Sequence, residues 1–589
     1  MRQARSTARL PRFCRFPALG FAIACLFALD LPAASSQETS LYGAYLAGRE
    51  ATVLQDNKVA ADFYREALSL DPENEVIMER IFVLDLTTGN VDAAADLASE
   101  LVKVDSGHKL ARLVLATEAI RARQFKSARR HLEQAGDSGP IGDLTKTFLT
   151  AWAFQGSGDT DKALELLAEP GASAWHKLYG AFMSGLIADL AGRKDLAAAK
   201  LSEAASKDGA GIRISDAYAR FMMRNDDWEG ASKLVGELQA KMSNNPVVAA
   251  LRAYVDERKR PEPVVSSAVD GASEALYSIG SALGREGGDD LATAYLRLAL
   301  QLNPKAEMAL LALAETYESQ DQHEQAAALF DQVPMDSQLR AHAEIQAAFN
   351  LSSANHKDEA VRKLEALLGR EPNLPTAIIA LGNIEQGRKN WERAAQMFSR
   401  AIDLAGGGKK AGWNLYYWRG IAYERAKQWD KAEPDFKMAM EIEPDEPLVL
   451  NYLGYSWIDQ GINLKEGLDL VKKAVSLKPN DGFIVDSLGW AYYRLGNFDA
   501  AARELERAVE LRPQDPLIND HLGDAYWKVG RKLEAKFQWN HARDLDPEPE
   551  DLARIEKKIA EGLIEAEGAA PPSSAAIDPA KPAPAKNGG

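Results

Sequence analysis

The chain has 589 residues, of which 46% are hydrophobic and 26% charged, and its formal net charge is −16. One compact core does not extend over such a length, so the composition indicates several domains or a repeat array. The acidic balance argues against a general nucleic-acid binder, because such proteins need a basic face to displace counterions from phosphates.

The first 36 residues differ from the rest of the chain. Arginines between Arg2 and Arg15 precede a short apolar run over 17–29, and the small residues Pro-Ala-Ala-Ser-Ser follow at 32–36. This order is typical of a secretory signal peptide, and the run is too short for a comfortable transmembrane helix. We therefore predict that residues 1–36 are a signal peptide and that the protein is exported to a periplasm. We expect no transmembrane helix after cleavage.

Both cysteines, Cys14 and Cys25, lie in this leader. The run Ala22-Ile23-Ala24-Cys25 is weakly similar to a bacterial lipobox, which would make Cys25 a lipid anchor and associate the protein with the outer membrane. The first lipobox position is usually leucine, however, and the apolar run continues past Cys25. Cleavage after the small-residue cluster is the favoured prediction, and the lipid anchor is the alternative.

A period of about 34 residues follows. The first copy has Gly48 and Ala60 as its two small residues, followed by Tyr64, Ala67 and a closing Pro72. Five fainter copies follow, of which the first is predicted to be distorted because a phenylalanine replaces the small residue. Their paired positions are Phe82/Ala94, Ala116/Ala128, Ala151/Ala163, Gly185/Ala197 and Ala219/Ala231. We predict an N-terminal block of about six copies over 37–246.

The period breaks after Ala219, because the next equivalent residue, Gly280, lies 61 residues on. We predict an irregular joint over 247–271 and a second block of about eight copies over 272–547. The copies of the second block are marked by Gly280, Ala314, Ala348, Gly382, Gly420, Gly454, Gly489 and Gly523.

Two small residues per copy, aromatic residues beside them and a closing proline at this period are the signature of the tetratricopeptide repeat. Each copy is then a helical hairpin in which the small residues let helix A and helix B approach closely, and a proline such as Pro444 ends helix B. One hairpin cannot bury its apolar face alone, so stability comes from stacking. With no sustained alternation that would indicate strands, the fold class predicted is an all-α solenoid of about 14 hairpins.

The C-terminal end has two further segments. Residues 548–568 are predicted to form a capping helix, whose face Leu552, Ile555, Ile559 and Leu563 would cover the exposed end of the stack. Residues 569–589 are rich in alanine and proline and are predicted to be a disordered tail.

Motifs of catalysis are absent from the sequence. The chain has no His-Glu-x-x-His, Gly-x-Ser-x-Gly or Walker motif, and the glycine-rich run 406–410 lacks the serine or threonine that follows the P-loop lysine. Eight histidines are scattered singly. We therefore predict a protein that is not an enzyme and has no cofactor and no metal site.

The remaining functional feature is a surface. In tetratricopeptide arrays, positions two, five, nine and twelve of helix A line the concave groove. Carboxylates and amides there would bond a peptide or capture a basic side chain, and aromatic rings would hold its apolar groups. The candidate binding residues are Tyr417, Asn451, Tyr455, Asp486, Trp490, Tyr493, Asp520, Asp524 and Trp527. Packing and solvation alone are the alternative explanation. If the groove binds partners, we expect substitution of Trp490 and Asp486 by alanine to abolish capture of the partner protein. The helicity and the melting temperature of the chain should not change.

The last four copies, notably 450–455, 485–490 and 518–527, resemble a family of long bacterial envelope tetratricopeptide proteins. The resemblance is specific over about 411–542. Members of this family include an outer-membrane lipoprotein adaptor that presents cell-wall hydrolases to a periplasmic carboxyl-terminal processing protease. The resemblance implies a non-enzymatic scaffold whose partners are proteins, such as a processing protease and cell-wall hydrolases. An assembly factor for outer-membrane or secretion machinery is the alternative, and an enzyme or small-ligand carrier is less favoured.

Overall fold

The structure is a computed structural model that describes residues 40–54, 56–136, 139–168, 174–207 and 210–563. The predicted signal peptide and the predicted tail lie outside the described residues. Within the described ranges, all regular structure is helical and no strand occurs. The predicted all-α hairpin solenoid is confirmed.

The described residues divide into two compact units, one that ends at residue 88 and one that begins at residue 89. The division separates Phe82 from Ala94, the paired positions of the copy predicted to be distorted. The helices of the first unit are α1 (Leu41–Val53), α2 (Asn57–Leu70) and α3 (Glu75–Thr88). In the second unit, the helices that precede residue 257 are α4 (Val91–Val104), α5 (Lys109–Arg121), α6 (Phe125–Gln134), α7 (Gly139–Gly156), α8 (Thr160–Ala168), α9 (Ala174–Leu190), α10 (Lys194–Ala205), α11 (Ile212–Arg224), α12 (Trp228–Lys241) and α13 (Pro246–Asp256), of which α13 lies in the stretch predicted to be an irregular joint.

From α14 onward the helices alternate as A and B members of eight antiparallel pairs, followed by one last helix. A short 3-10 helix, Gly408–Ala411, lies between α21 and α22. The bounds are α14 (Ala268–Arg285), α15 (Asp289–Leu302), α16 (Glu307–Ser319), α17 (His323–Phe330), α18 (Arg340–Ser353), α19 (Lys357–Arg370), α20 (Pro375–Gly387), α21 (Trp391–Leu404), α22 (Trp413–Arg425), α23 (Trp429–Ile442), α24 (Pro447–Asp459), α25 (Leu464–Leu477), α26 (Gly482–Arg494), α27 (Phe498–Leu511), α28 (Pro516–Lys528), α29 (Lys532–Asp544) and α30 (Pro549–Glu561).

The small residues of the repeat lie where helix A contacts helix B. A Cβ on Gly523 of α28 would lie 2.4 Å from the Trp539 ring of α29, and a Cβ on Gly489 would lie 2.5 Å from Leu505. Both distances are shorter than any normal contact, so only glycine permits this approach of the two helix axes. The period of small residues is therefore a consequence of hairpin closure.

Side-chain caps fix where several A helices begin. The carboxylate of Asp515 accepts hydrogen bonds from the backbone N–H groups of Leu517 and Ile518, and Pro516 is the first residue of α28. A proline fits there because the first helical N–H has no partner within the helix. Asp481 caps α26 in the same way.

Helix α30 closes the end of the stack, as predicted. Ile555 is buried in a cluster that includes Leu522 and Trp539, and Ile559 and Leu563 pack against the same cluster. The opposite face of α30 carries exposed residues such as Glu556 and Lys557. An apolar inner face and a polar outer face are what a terminal helix of a solenoid needs.

The chain folds back in the stretch assigned to the joint. The single helix α13 is followed by residues 257–267 without helix, and α14 and α15 then pack against α7 and α5. The Tyr295 hydroxyl of α15 lies 3.0 Å from Thr145 Oγ1 of α7. Gln301 donates hydrogen bonds to Asp92 and Glu118 at 2.9 and 3.1 Å.

Helix α14 also fits closely against α7, because a Cβ on Gly271 would lie 2.3 Å from the Trp152 ring. Thr145 and Trp152 are positions two and nine of their copy, which are groove positions. The hairpin α14–α15 therefore fills part of the concave side of the copies around α5 and α7.

Candidate protein-binding groove

The groove candidates at the start of the predicted site are packed against neighbouring helices. Tyr417 of α22 is 4% exposed, and its ring lies 5.8 Å from Tyr452 and 6.2 Å from Phe436. Burial raises the pKa of the Tyr417 hydroxyl above its ordinary value. Asn451 and Tyr455 of α24 are each 6% exposed. The Tyr417–Tyr452 contact joins two successive A helices, α22 and α24.

The next candidate, Asp486 of α26, is paired inside the chain. Its two carboxylate oxygens lie 2.9 and 3.1 Å from Nδ1 of His521 on α28, and both residues are buried. Burial alone lowers the pKa of His521, but the charge and hydrogen bond of Asp486 outweigh it, and the pKa is raised. The pair is therefore a buried ion pair when His521 is protonated.

Three rings are stacked beside this pair. The Trp490 ring lies 4.1 Å from the His521 ring at 18° and 4.8 Å from the Tyr493 ring at 9°. Trp490 is 5% exposed, whereas Tyr493 is only partly buried. One face of the Tyr493 ring is therefore covered by Trp490, which is itself stacked on His521.

The acidic candidates of α28 are also paired inside the chain. Nζ of Lys558 on α30 lies 2.8 Å from both oxygens of Asp520 and 2.7 Å from Asp524. Arg554 donates a further bond to Asp520 at 3.0 Å, and the Trp539 indole N–H donates to Asp524 at 3.0 Å. Burial raises the pKa of Asp524, and the nearby Asp520 adds to this effect, against the opposing influence of Lys558.

The last candidate, Trp527, is partly buried. Its ring lies 5.3 Å from the Trp539 ring, and the Lys532 ammonium lies 5.0 Å from its centroid. On one side it meets the end of α30, since a Cβ on Gly562 would lie 2.3 Å from the ring. Tyr493 and Trp527 both occupy position twelve, in successive copies.

The predicted carboxylates are paired within the chain. Asp486, Asp520 and Asp524 are candidate binding residues from the sequence, and in the structure their oxygens are bonded to His521, Arg554, Lys558 and Trp539. The reason is that successive A helices lie close enough for direct side-chain pairing. The sequence analysis did not predict these partners. A signal was present, because a basic residue follows each of these aspartates by 34 to 38 positions, which is about one repeat.

Some buried polar atoms in the same region have no hydrogen-bond partner among the described residues. Three of them are the Asn451 side-chain oxygen, the Trp490 indole N–H and the second ring nitrogen of His521. Most buried polar groups in folded proteins are paired, so an exception often marks a functional site or a bound water.

Within the described residues, no group of three or more histidine, cysteine, aspartate or glutamate side chains is arranged to hold a metal ion. Among the helices placed by the structure, none is both long and apolar enough to span a membrane.

The stacked hairpins and their helix-A groove define the class of a helical-repeat binding protein. Sequence profiles then identify the repeat type: those described as TPR repeat or tetratricopeptide repeat match residues 309–334, 379–447 and 489–530. The chain therefore carries tetratricopeptide repeats, which indicate a protein-interaction scaffold and a fold that is typically non-enzymatic.

Two relatives share part of the chain. TPR repeat-containing protein PA4667 of Pseudomonas aeruginosa is 29% identical over 171 residues, which cover 28% of this chain and 28% of that protein. Human tetratricopeptide repeat protein 13 is 26% identical over 189 residues, 25% of this chain and 21% of that one. The chain thus spans less than a third of the length of either relative.

Among solved structures, the APC/C hetero-tetramer Cut9-Hcn1 is similar at 15% identity and a TM-score of 0.37. The alignment covers 90% of this chain and 97% of the matched one.

Proposed function

We propose that this protein is a scaffold of the bacterial cell envelope that holds a protein partner in the concave groove of its last copies. The supporting observation is the pair of partly exposed aromatic residues, Tyr493 and Trp527, at position twelve of successive helices A. The Tyr493 ring packs against Trp490, and the Trp527 ring packs against Trp539. Rigid aromatic side chains are typical anchors of protein interfaces because they lose little conformational entropy on binding.

The buried network beneath these rings has a supporting role in this proposal. The pairs Asp486–His521 and Asp520–Lys558 hold helices α26, α28 and α30 at fixed spacing, so the two rings are presented at a fixed separation. The ligand would be an apolar segment of the partner protein. The unpartnered Asn451 oxygen and Trp490 N–H are covered in this structure, and a peptide backbone would reach them only after a side chain moves.

Export and the role of adaptor belong to the same proposal. The signal-peptide pattern of residues 1–36 supports a periplasmic location, with lipidation at Cys25 as the alternative. The resemblance of 411–542 to envelope tetratricopeptide proteins supports presentation of substrates such as cell-wall hydrolases to a processing protease. Mass spectrometry of the protein purified from cells would test export, because the proposal requires a chain that lacks the leader.

Capture from a bacterial envelope extract tests the groove. The mature chain is compared with a Tyr493→Ala/Trp527→Ala variant and with a Phe537→Ala control, which removes an aromatic side chain that is 70% exposed on helix B of the last hairpin. We expect a processing protease or a cell-wall hydrolase with the parent and the control only. Circular dichroism establishes that all three chains are folded.

Other captures would change the proposal in defined ways. Recovery of outer-membrane or secretion assembly proteins by the parent and control would keep the groove and change the role to that of an assembly factor. Equal recovery by all three chains would contradict binding through Tyr493 and Trp527.

A further inference from the structure

A cavity of about 440 Å³ lies between α15 and the helices α5, α6 and α7. Its volume is within the range of small-molecule sites, roughly 300–1,000 Å³. The lining is mainly apolar, and its largest apolar members are Leu110, Leu113, Leu132, Ile141, Leu291 and Tyr295.

The cavity results from the fold-back of the chain. Leu110 and Leu113 occupy positions two and five of α5, and Thr145 occupies position two of α7, so all three belong to the concave groove of these copies. Helix α15 enters this groove and fills it only in part. The space that remains beside Leu291 and Tyr295 is the cavity.

The polar groups inside the cavity are already paired. Thr145 Oγ1 lies 3.0 Å from the Tyr295 hydroxyl and 2.8 Å from the backbone carbonyl oxygen of Ile141, to which it donates. Burial raises the pKa of the Tyr295 hydroxyl, which therefore stays neutral. The interior thus favours a ligand portion that needs no hydrogen bonds.

Among the described residues that line the cavity, all the charged side chains are positive. Lys109 and Lys146 are its charged residues, and neither ammonium forms an ion pair with a described residue. Lys109 is also the first residue of α5, and Ile141 lies in the first turn of α7. The partial positive charge at a helix N-terminus favours an anion at the same place. Ile141 and Leu291 are 38% and 40% exposed, so this side of the cavity is open to solvent.

We propose that the cavity binds an apolar carboxylate, a hydrocarbon chain that ends in a single carboxylate group. The chain would lie against Leu110, Leu113 and Leu132, and the carboxylate would lie between Lys109 and Lys146. A neutral hydrocarbon would gain nothing from the two ammonium groups, and a cationic amphiphile would be repelled by them. This inference does not depend on the C-terminal groove.

Isothermal titration calorimetry of the mature full-length chain tests the charge preference. Decanoate is compared with decanol and decylamine, all below their aggregation concentrations. We expect saturable binding of decanoate with one site per chain, several-fold and up to about tenfold tighter than decanol, since exposed ion pairs contribute modestly. A Lys109→Gln/Lys146→Gln variant should bind decanoate no more tightly than decanol.

A second set of variants tests the location. Leu291→Trp fills the open side of the cavity and should abolish decanoate binding, whereas Leu477→Trp, at a site of similar exposure on α25, should not. If Leu291→Trp does not fold, Ile141→Trp serves the same purpose.

Four outcomes would overturn the proposal. They are no saturable decanoate binding, equal affinity for decanol, unchanged decanoate affinity in a folded cavity-filling variant, and selective binding of a leucine-terminated peptide in place of decanoate.

Discussion

The Lys558 ammonium lies 2.8 Å from both carboxylate oxygens of Asp520 and 2.7 Å from Asp524. Lys558 belongs to the capping helix α30, and both aspartates belong to helix A of the last hairpin. All three side chains are buried. The cap is thus attached to the solenoid by a charged contact as well as by the apolar cluster around Ile555.

Substitution of Lys558 by methionine should loosen the cap. The change keeps most of the side-chain volume but leaves two carboxylates without their shared ammonium, a loss of about 3 kcal/mol by analogy with broken buried ion pairs. Hydrogen exchange should then be faster in α30 and at the end of α28. Lys557→Met, at the neighbouring exposed position, is the control. Equal protection in the two variants would show that the charged contact contributes little.

Substitution of Asp486 by alanine should destabilise the contact between α26 and α28. His521 would lose its carboxylate partner while remaining buried, and we expect a cost of about 3 kcal/mol. Hydrogen exchange of the two helices measures it, with Asp469→Ala as the exposed control. This result would replace the expectation from sequence that Asp486→Ala leaves melting unchanged. Unaltered protection from hydrogen exchange would mean that Asp486 does not stabilise this contact and is free to bind a ligand.

The same pair predicts a pH dependence. The pKa of His521 is raised above 6.5 in the folded protein by Asp486, with smaller contributions from Asp520 and Asp524. A raised histidine pKa means that the stabilisation is fully present below pH 6.5 and is lost as the pH rises through the folded value. The urea midpoint of the C-terminal copies, followed by near-ultraviolet circular dichroism, should fall from about pH 6 to about pH 9.

His521→Asn provides the control for this titration. The variant should be less stable than the parent at the lower pH and should lack this part of the pH dependence. A parent midpoint that is unchanged or increases over the same interval would contradict a protonated His521 in the folded state.

The repeat glycines should differ sharply from other helical glycines. Gly489→Ala places a Cβ 2.5 Å from Leu505 and should lower stability, because α26 and α27 must move apart. Gly236→Ala in α12 meets no atom within 4 Å. That change should be neutral or stabilising by about 0.5–1 kcal/mol, since alanine restricts the unfolded chain. Thermal melts compare the two variants, and equal effects would mean that hairpin closure does not require glycine.

Much of the fold follows from local sequence pattern. The spacing of Gly420, Gly454, Gly489 and Gly523 predicts the hairpins, because every copy must solve the same problem of close contact between helix A and helix B. The apolar face of Ile555 and Ile559 predicts the cap for the same reason, since the end of a stack must be covered. Contacts in a solenoid are mostly between neighbours, so a periodic sequence contains most of the necessary information.

The state of the candidate site could be predicted only in part. The sequence places Asp486, Asp520 and Trp490 on the inner face of helix A, but it does not show whether that face is open. The answer depends on how closely successive A helices approach, and this distance lets His521 and Lys558 reach the carboxylates of the preceding copy.

The sequence by itself determined the repeat, the helical class and the capping helix, because these depend on residues within one copy or its neighbour. Only the tertiary structure decided that α14 and α15 fold back into the groove beside Thr145 and Trp152. That contact joins residues more than 100 positions apart across a segment without the repeat. Its geometry depends on the backbone path between α13 and α14, which no period specifies, and it creates both the filled N-terminal groove and the cavity beside Tyr295.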